Sequence, residues 1–166
     1  MFEATETAFA TADKPALYDE LLTRLGGLVE GERDRIANAA NMSALLFEML
    51  PDLNWAGFYF LNGAGDELIV GPFQGRPACV RIAVGRGVCG TAVAERRSIV
   101  VPDVDAFPGH IACDAASRSE LVIPLYRDEA ILGVLDLDSP SLGRFDDADR
   151  RGLEDAVEAF IAASDW

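Results

Sequence analysis

Residues 120–138 read Glu120-Leu-Val-Ile-Pro-Leu-Tyr-Arg127-Asp-Glu-Ala130-Ile-Leu-Gly-Val-Leu-Asp-Leu-Asp138. Apolar and polar positions alternate on either side of Arg127-Asp128-Glu129, so the stretch predicts a β-hairpin, Leu121–Tyr126 against Ala130–Asp138. In the second strand Leu135 and Leu137 point one way while Val134, Asp136 and Asp138 point the other. In the first strand Glu120 shares parity with Val122, Pro124 and Tyr126. A three-residue loop sets Glu120 opposite Asp136 or Asp138; a two-residue loop sets it opposite Leu137 and dissolves the cluster. Three carboxylates on one sheet face repel one another and call for a cation, a shared proton or water. The candidates are therefore a metal, an ammonium-bearing ligand, or a carboxyl with a raised pKa able to act as an acid.

Working outward, Asn54–Leu61 alternates as a strand, Asn62-Gly63 opens a turn, and Glu67–Phe73 is its return partner. Trp55 and Tyr59 share a face there and offer an aromatic wall that favours a cation. Cys79–Val84 is read as a strand, about Gly90–Arg96 as a short helix, and Ser98–Val101 as another strand. A loop with Pro102, Pro108 and Gly109 leads to Cys113. At the amino end Leu17, Leu21, Leu25 and Leu28 recur at helical spacing after Pro15, and Ile36, Ala40, Ser43, Phe47 and Leu50 trace a second helix that Pro51 ends. At the carboxyl end Asp146 caps a helix with Asp149 three residues on, burying Leu153, Val157, Phe160 and Ile161. Helices at both ends with meandering strands between predict an α+β fold, helices packed on a mostly antiparallel sheet.

The chain has 166 residues, half of them apolar, enough for one domain with a sizeable core. Residues 1–13 are read as a tail and 14–166 as the domain. The net charge of −14 lacks the basic footprint that grips phosphates, so nucleic acid is not expected as a partner. The start has neither a basic region nor an apolar run, and nowhere is there an uncharged apolar stretch long enough for a membrane span. A soluble, cytoplasmic protein is expected.

Three cysteines and one histidine narrow the chemistry. An odd thiol count in a reducing compartment points to reactive sulfur, and the spacing of Cys79, Cys89 and Cys113 contains no Cys-x-x-Cys, so a structural zinc site would have to recruit His110 or a carboxylate. Buried thiols that serve as small apolar side chains are the plain alternative. Gly85-Arg-Gly-Val-Cys-Gly90 matches the dinucleotide-binding G-x-G-x-x-G, but it sits mid-chain among hairpins and its downstream acids, Asp103 and Asp105, come too soon. A tight turn at a helix start is the better reading. That turn puts Cys89 at a helix amino terminus, where backbone N–H groups stabilise a thiolate, so local physics marks Cys89 as the most acidic thiol. Asp114 disfavours a thiolate at Cys113, with His110 and Arg118 as nearby compensation.

Taken together, Asn54-Trp-Ala-Gly-Phe-Tyr59, Gly87-Val-Cys-Gly90, Phe107-Pro-Gly-His-Ile-Ala-Cys-Asp114, Ser119-Glu-Leu-Val-Ile-Pro124 and Leu135-Asp-Leu-Asp-Ser139 resemble the free methionine-(R)-sulfoxide reductases, which are single GAF domains. The resemblance implies a GAF-like fold with a six-stranded antiparallel sheet. It implies attack on the sulfoxide by Cys113, resolution of the sulfenic acid by Cys79 as a disulfide, and assistance in recycling from Cys89. Substrate contacts would fall on Trp55, Tyr59, Glu120, Asp136 and Asp138. It further implies a homodimer, thioredoxin or a similar dithiol as reductant, and neither metal nor organic cofactor. A ligand-sensing GAF module without chemistry and a thiol redox switch are the competing functions for such a chain.

Overall fold

The computed structural model of the chain describes residues 13–166, so the tail expected at 1–13 lies, but for Asp13, outside the described residues. Two helices open the fold, α1 (Lys14–Val29) and α2 (Arg35–Met49). Pro15 starts α1, while Asp34 caps α2 by accepting the Ile36 and Ala37 N–H groups. Six strands follow: β1 (Trp55–Leu61), β2 (Glu67–Gly75), β3 (Arg81–Ala83), β4 (Ile99–Val101), β5 (Ser119–Arg127) and β6 (Ala130–Ser139). Helix α3 (Gly87–Glu95) links β3 to β4, and α4 (Asp147–Ala163) closes the chain. The sheet order is β3-β2-β1-β6-β5-β4, and each neighbouring pair is antiparallel. Such a sheet has no parallel switch point for a dinucleotide, so the glycine fingerprint is a turn into a helix.

Helices α1, α2 and α4 cover one face. Leu21, Leu25, Met42, Leu46, Leu153 and Phe160 pack there against Phe58, Leu121, Ile123, Leu135 and Leu137 of the sheet. The carboxyl end of the chain keeps its expected cap: Asp146 accepts from the Ala148 and Asp149 N–H groups, and Asp149 accepts in return from that of Asp146. The expected α2 stripe is rotated, and the expected α1 stripe holds at Leu17, Leu21 and Leu25 but not at its last residue. In α2 the buried residues include Ala39, Met42, Leu46 and Met49, whereas Ile36 and Phe47 are exposed; in α1 Val29 is buried in place of Leu28. The α2 window is apolar nearly all round, so its periodicity admits neighbouring stripes and contact with the sheet selects one.

The other face carries α3 and the long loops, over Trp55, Tyr59, Val122 and Val134. Helix α3 begins three residues earlier than its expected start, at Gly87. Gly90 lies so close to the preceding turn that a Cβ there would sit 2.3 Å from the Ala83 carbonyl oxygen. Strand β3 is shorter than expected, because the chain leaves the sheet after Gly75 and Cys79 lies in an irregular segment before Arg81.

The hairpin register settles the two alternatives in an unforeseen way. The turn holds only two residues, Asp128 and Glu129, since Arg127 pairs with Ala130 and Tyr126 with Ile131. By itself that would place Glu120 opposite Leu137. A β-bulge follows, however: Leu125 pairs with Gly133, leaving Leu132 as an extra residue, and from there Glu120 pairs with Asp138. Gly133 has φ +155°, and a Cβ on it would lie 2.1 Å from the Tyr59 carbonyl oxygen, so the bulge rests where only glycine lets β1 approach.

Candidate active site

The bulged register assembles an acidic floor. Glu120 on β5 and Asp136 on β6 are buried, each 6 % exposed, and Asp138 beside them is partly exposed. Burial holds all three carboxyls well above the usual carboxylate range, and their mutual repulsion adds to the shift. Oδ1 of Asp136 is buried without a hydrogen-bond partner among the described residues. An orphaned carboxylate oxygen in a cavity is a place for a donor group from a ligand.

Strand β1 forms one wall. Trp55 pairs across the sheet with Asp138, and its ring stacks on that of Tyr59 with centroids 5.7 Å apart. Both side chains also reach outward: the Trp55 indole N–H donates to the Arg76 carbonyl at 3.2 Å and the Tyr59 hydroxyl to that of Cys79 at 3.1 Å.

Helix α3 brings Cys89 over the floor, with Sγ 3.9 Å from Oε1 of Glu120. The surroundings of Cys89 oppose the acidity expected from its helix start. Its thiol is fully enclosed, and burial first, then the charges of Asp136, Glu120 and Asp138, push its pKa well up. The N–H groups of a short helix do not offset three carboxyls and the loss of water. Cys89, Glu120 and Asp136 bring donor atoms within 4.8 Å of one another. That grouping suits a cation, an ammonium as well as a metal ion.

The loop after β4 closes the site. His110, expected as compensation near Cys113, contacts Glu120: its Nε2 lies 3.4 Å from Oε2 of that residue. Burial lowers the imidazole pKa, opposed only in part by Asp105, while Glu120 is raised. Both shifts favour the uncharged forms of the two groups. Asp114 goes the other way, its pKa lowered by the Ala116 N–H and by the Asn54 amide. Cys113 is bonded to Cys79, 34 residues earlier, with Cα atoms 5.5 Å apart.

Seven of the eight residues singled out in the sequence, Trp55, Tyr59, Cys89, Cys113, Glu120, Asp136 and Asp138, line one cavity, and the eighth, Cys79, joins it through the disulfide. In this disulfide-bonded form the cavity has a volume of about 40 Å³. Asn54, Arg76 and Ser117, which anchor the loops around the two bonded cysteines, were not foreseen as site residues. For Asn54 the one available signal was its place immediately before Trp55.

Residues 42–160 match the GAF domain. The chain is 52% identical to the free methionine-R-sulfoxide reductase of Escherichia coli (strain K12), over 93% of this chain and 94% of that protein. The chain belongs to the free methionine-R-sulfoxide reductase family. Another member of that reductase family, from Saccharomyces cerevisiae, is 40% identical over 86% of this chain and 82% of its own length. The crystal structure of the family's Neisseria meningitidis enzyme, solved with its substrate, superposes with a TM-score of 0.89 at 46% identity, covering 92% of this chain and 91% of that one. None of the described helices is long and apolar enough to cross a membrane.

Proposed function

We propose that this chain reduces free methionine-(R)-sulfoxide to methionine, with Cys113 as nucleophile and Cys79 as resolving thiol. The observation that carries the reading is the Cys79–Cys113 disulfide at the rim of a cavity floored by Glu120, Asp136 and Asp138. A free amino acid brings an α-ammonium group, which suits the orphaned Asp136 oxygen and its neighbours. Trp55 and Tyr59 supply the apolar wall for the side chain and a π-face for the cation.

In the first step the Cys113 thiolate attacks the sulfoxide sulfur while a proton goes to its oxygen. As the hydroxyl moves to the Cys113 sulfur, the sulfur–oxygen bond and the newly formed sulfur–sulfur bond to the methionine sulfur both break, leaving Cys113 as sulfenic acid and methionine with two electrons gained. Glu120, whose pKa is raised by burial and which lies beside His110, is the acid placed to supply the proton. In the second step the Cys79 thiol displaces water from the sulfenic acid and closes the disulfide. An external dithiol, thioredoxin or a similar protein, then exchanges with it and leaves both thiols reduced. The electrons come from thiols throughout, so the sequence of steps uses no metal or organic cofactor.

Cys89 is assigned to recycling; its burial requires that the loops part before it takes part. The functional unit is a single GAF domain over 14–166, preceded by a short tail at 1–13, working as a homodimer in the reducing cytoplasm where a dithiol donor is at hand. A single-turnover assay of the reduced protein with each sulfoxide epimer tests the reading. Methionine is expected from the R epimer; none from R, or equal yield from a Cys113→Ser variant, refutes it.

A further inference from the structure

Strand β1 and Asn54 just before it send hydrogen bonds to both cysteine-bearing segments. Toward Cys79 run the Trp55 and Tyr59 contacts with the Arg76 and Cys79 carbonyls. Toward Cys113 runs the Asn54 amide, whose Nδ2 donates to Oδ2 of Asp114 at 3.2 Å and to Oγ of Ser117 at 3.0 Å. The backbone N–H of Asn54 donates to the Asp138 carbonyl, so the same residue ties the start of β1 to the acidic floor. Residues 76–80 and 107–118 belong to no helix or strand. Without a ladder of their own, these segments are held where the two sulfurs meet by side-chain anchors. The amide orientation is dictated by chemistry, because the Asp114 carboxylate can only accept. Oδ1 of Asn54 is then buried without a hydrogen-bond partner among the described residues.

We infer that Asn54 is a positioning residue for disulfide closure, holding the Cys113 segment over Cys79 so that sulfenic acid and thiol meet. The inference rests on the proposed chemistry, in which Cys113–SOH and Cys79–SH give the disulfide and one water. It concerns the second step and not the first. Closure is tested apart from the substrate by oxidising the reduced protein with one equivalent of hydrogen peroxide, which converts a thiolate to sulfenic acid and hydroxide. Dimedone labelling and the appearance of the disulfide then follow in time.

For Asn54→Ala, closure is expected to slow by about tenfold, the effect of losing two hydrogen bonds of which one is to a charged acceptor. Dimedone-reactive Cys113 should persist, while methionine formed in a single turnover with the sulfoxide stays within about twofold. Asn54→Asp, which sets a second carboxylate against Asp114, should close at least as slowly, and Ser117→Ala should show an intermediate slowing. Unchanged closure overturns the inference, as does a fall in closure matched by an equal fall in methionine formation. If Asn54→Ala does not fold, Ser117→Ala and Asp114→Asn carry the same test from the other side of the contact, with unchanged closure in both again overturning it. A wild type that closes after peroxide yet makes no methionine refutes the proposed function and leaves the Asn54 comparison intact.

Discussion

The two faces of the sheet are made by alternate residues of the same strands, and they obey opposite rules. Leu135 and Leu137 on β6 are completely buried under α1, α2 and α4, while Asp136, between them, is buried on the far side among other acids. On the helical face burial removes apolar surface from water and stabilises the fold. On the pocket face it strips water from carboxyls and a thiol, which costs stability and raises every pKa involved. One face supplies the free energy that the other spends on an unsatisfied site. Mutations should therefore separate cleanly into those that damage chemistry and those that damage folding.

The largest effect is expected on the pocket face. Cys113→Ser should lower methionine formation by more than about a thousandfold. The melting temperature under reducing conditions should stay close to that of the reduced wild type, and a large drop would blur the division. On the helical face Leu46→Ala removes a fully buried side chain and should cost about 2–5 kcal/mol in urea unfolding. The preference between R and S epimers should not change; a changed preference would mean that the helical layer shapes the pocket.

Asp136→Asn sharpens the comparison, since it should weaken substrate binding without weakening the fold. If Asp136 binds the α-ammonium as proposed, its loss should raise KM by roughly 30-fold or more. The stability sign follows from the raised pKa. A carboxyl whose folded value exceeds its unfolded value, 3.8 for an aspartate, contributes most below that value and loses its contribution as pH rises through the folded one. Between about pH 5 and pH 8 the wild type should thus lose stability relative to Asp136→Asn. Denaturant titrations at both pH values check this; a variant less stable at the higher pH would contradict it. Asp146, outside the pocket, behaves oppositely. The Lys14 ammonium holds its carboxyl down at about 2, so its contribution is present above 3.8 and is lost as pH falls from there through about 2. Asp146→Ala should cost about 1 kcal/mol at neutral pH through the lost α4 cap, and the difference should vanish near pH 2.

Most of the scaffold was legible from periodicity, because the strands alternate and the end helices carry caps. What was not legible depended on partners far along the chain. The contents of the pocket turned on Leu132, one extra residue with no turn signature, stabilised by the approach of β1 to Gly133. Cys89 looked acidic at a helix start because its neighbours in sequence are harmless; the carboxyls that reverse the effect arrive from β5 and β6. His110 stands three residues before Cys113, yet it faces Glu120. The exposed Ile36 and Phe47 show the same limit in α2, where an all-round apolar window does not say which side the sheet will take.

The Cys79–Cys113 bond has a consequence outside chemistry. It ties two points 34 residues apart and encloses β3, α3 and β4 in a covalent ring. A ring of that length narrows the unfolded ensemble by about 4 kcal/mol on the chain-entropy estimate. The disulfide form should then melt later and resist proteolysis better than the reduced form. A thermal scan would count the two populations, and a cell short of reductant would accumulate the hardier one.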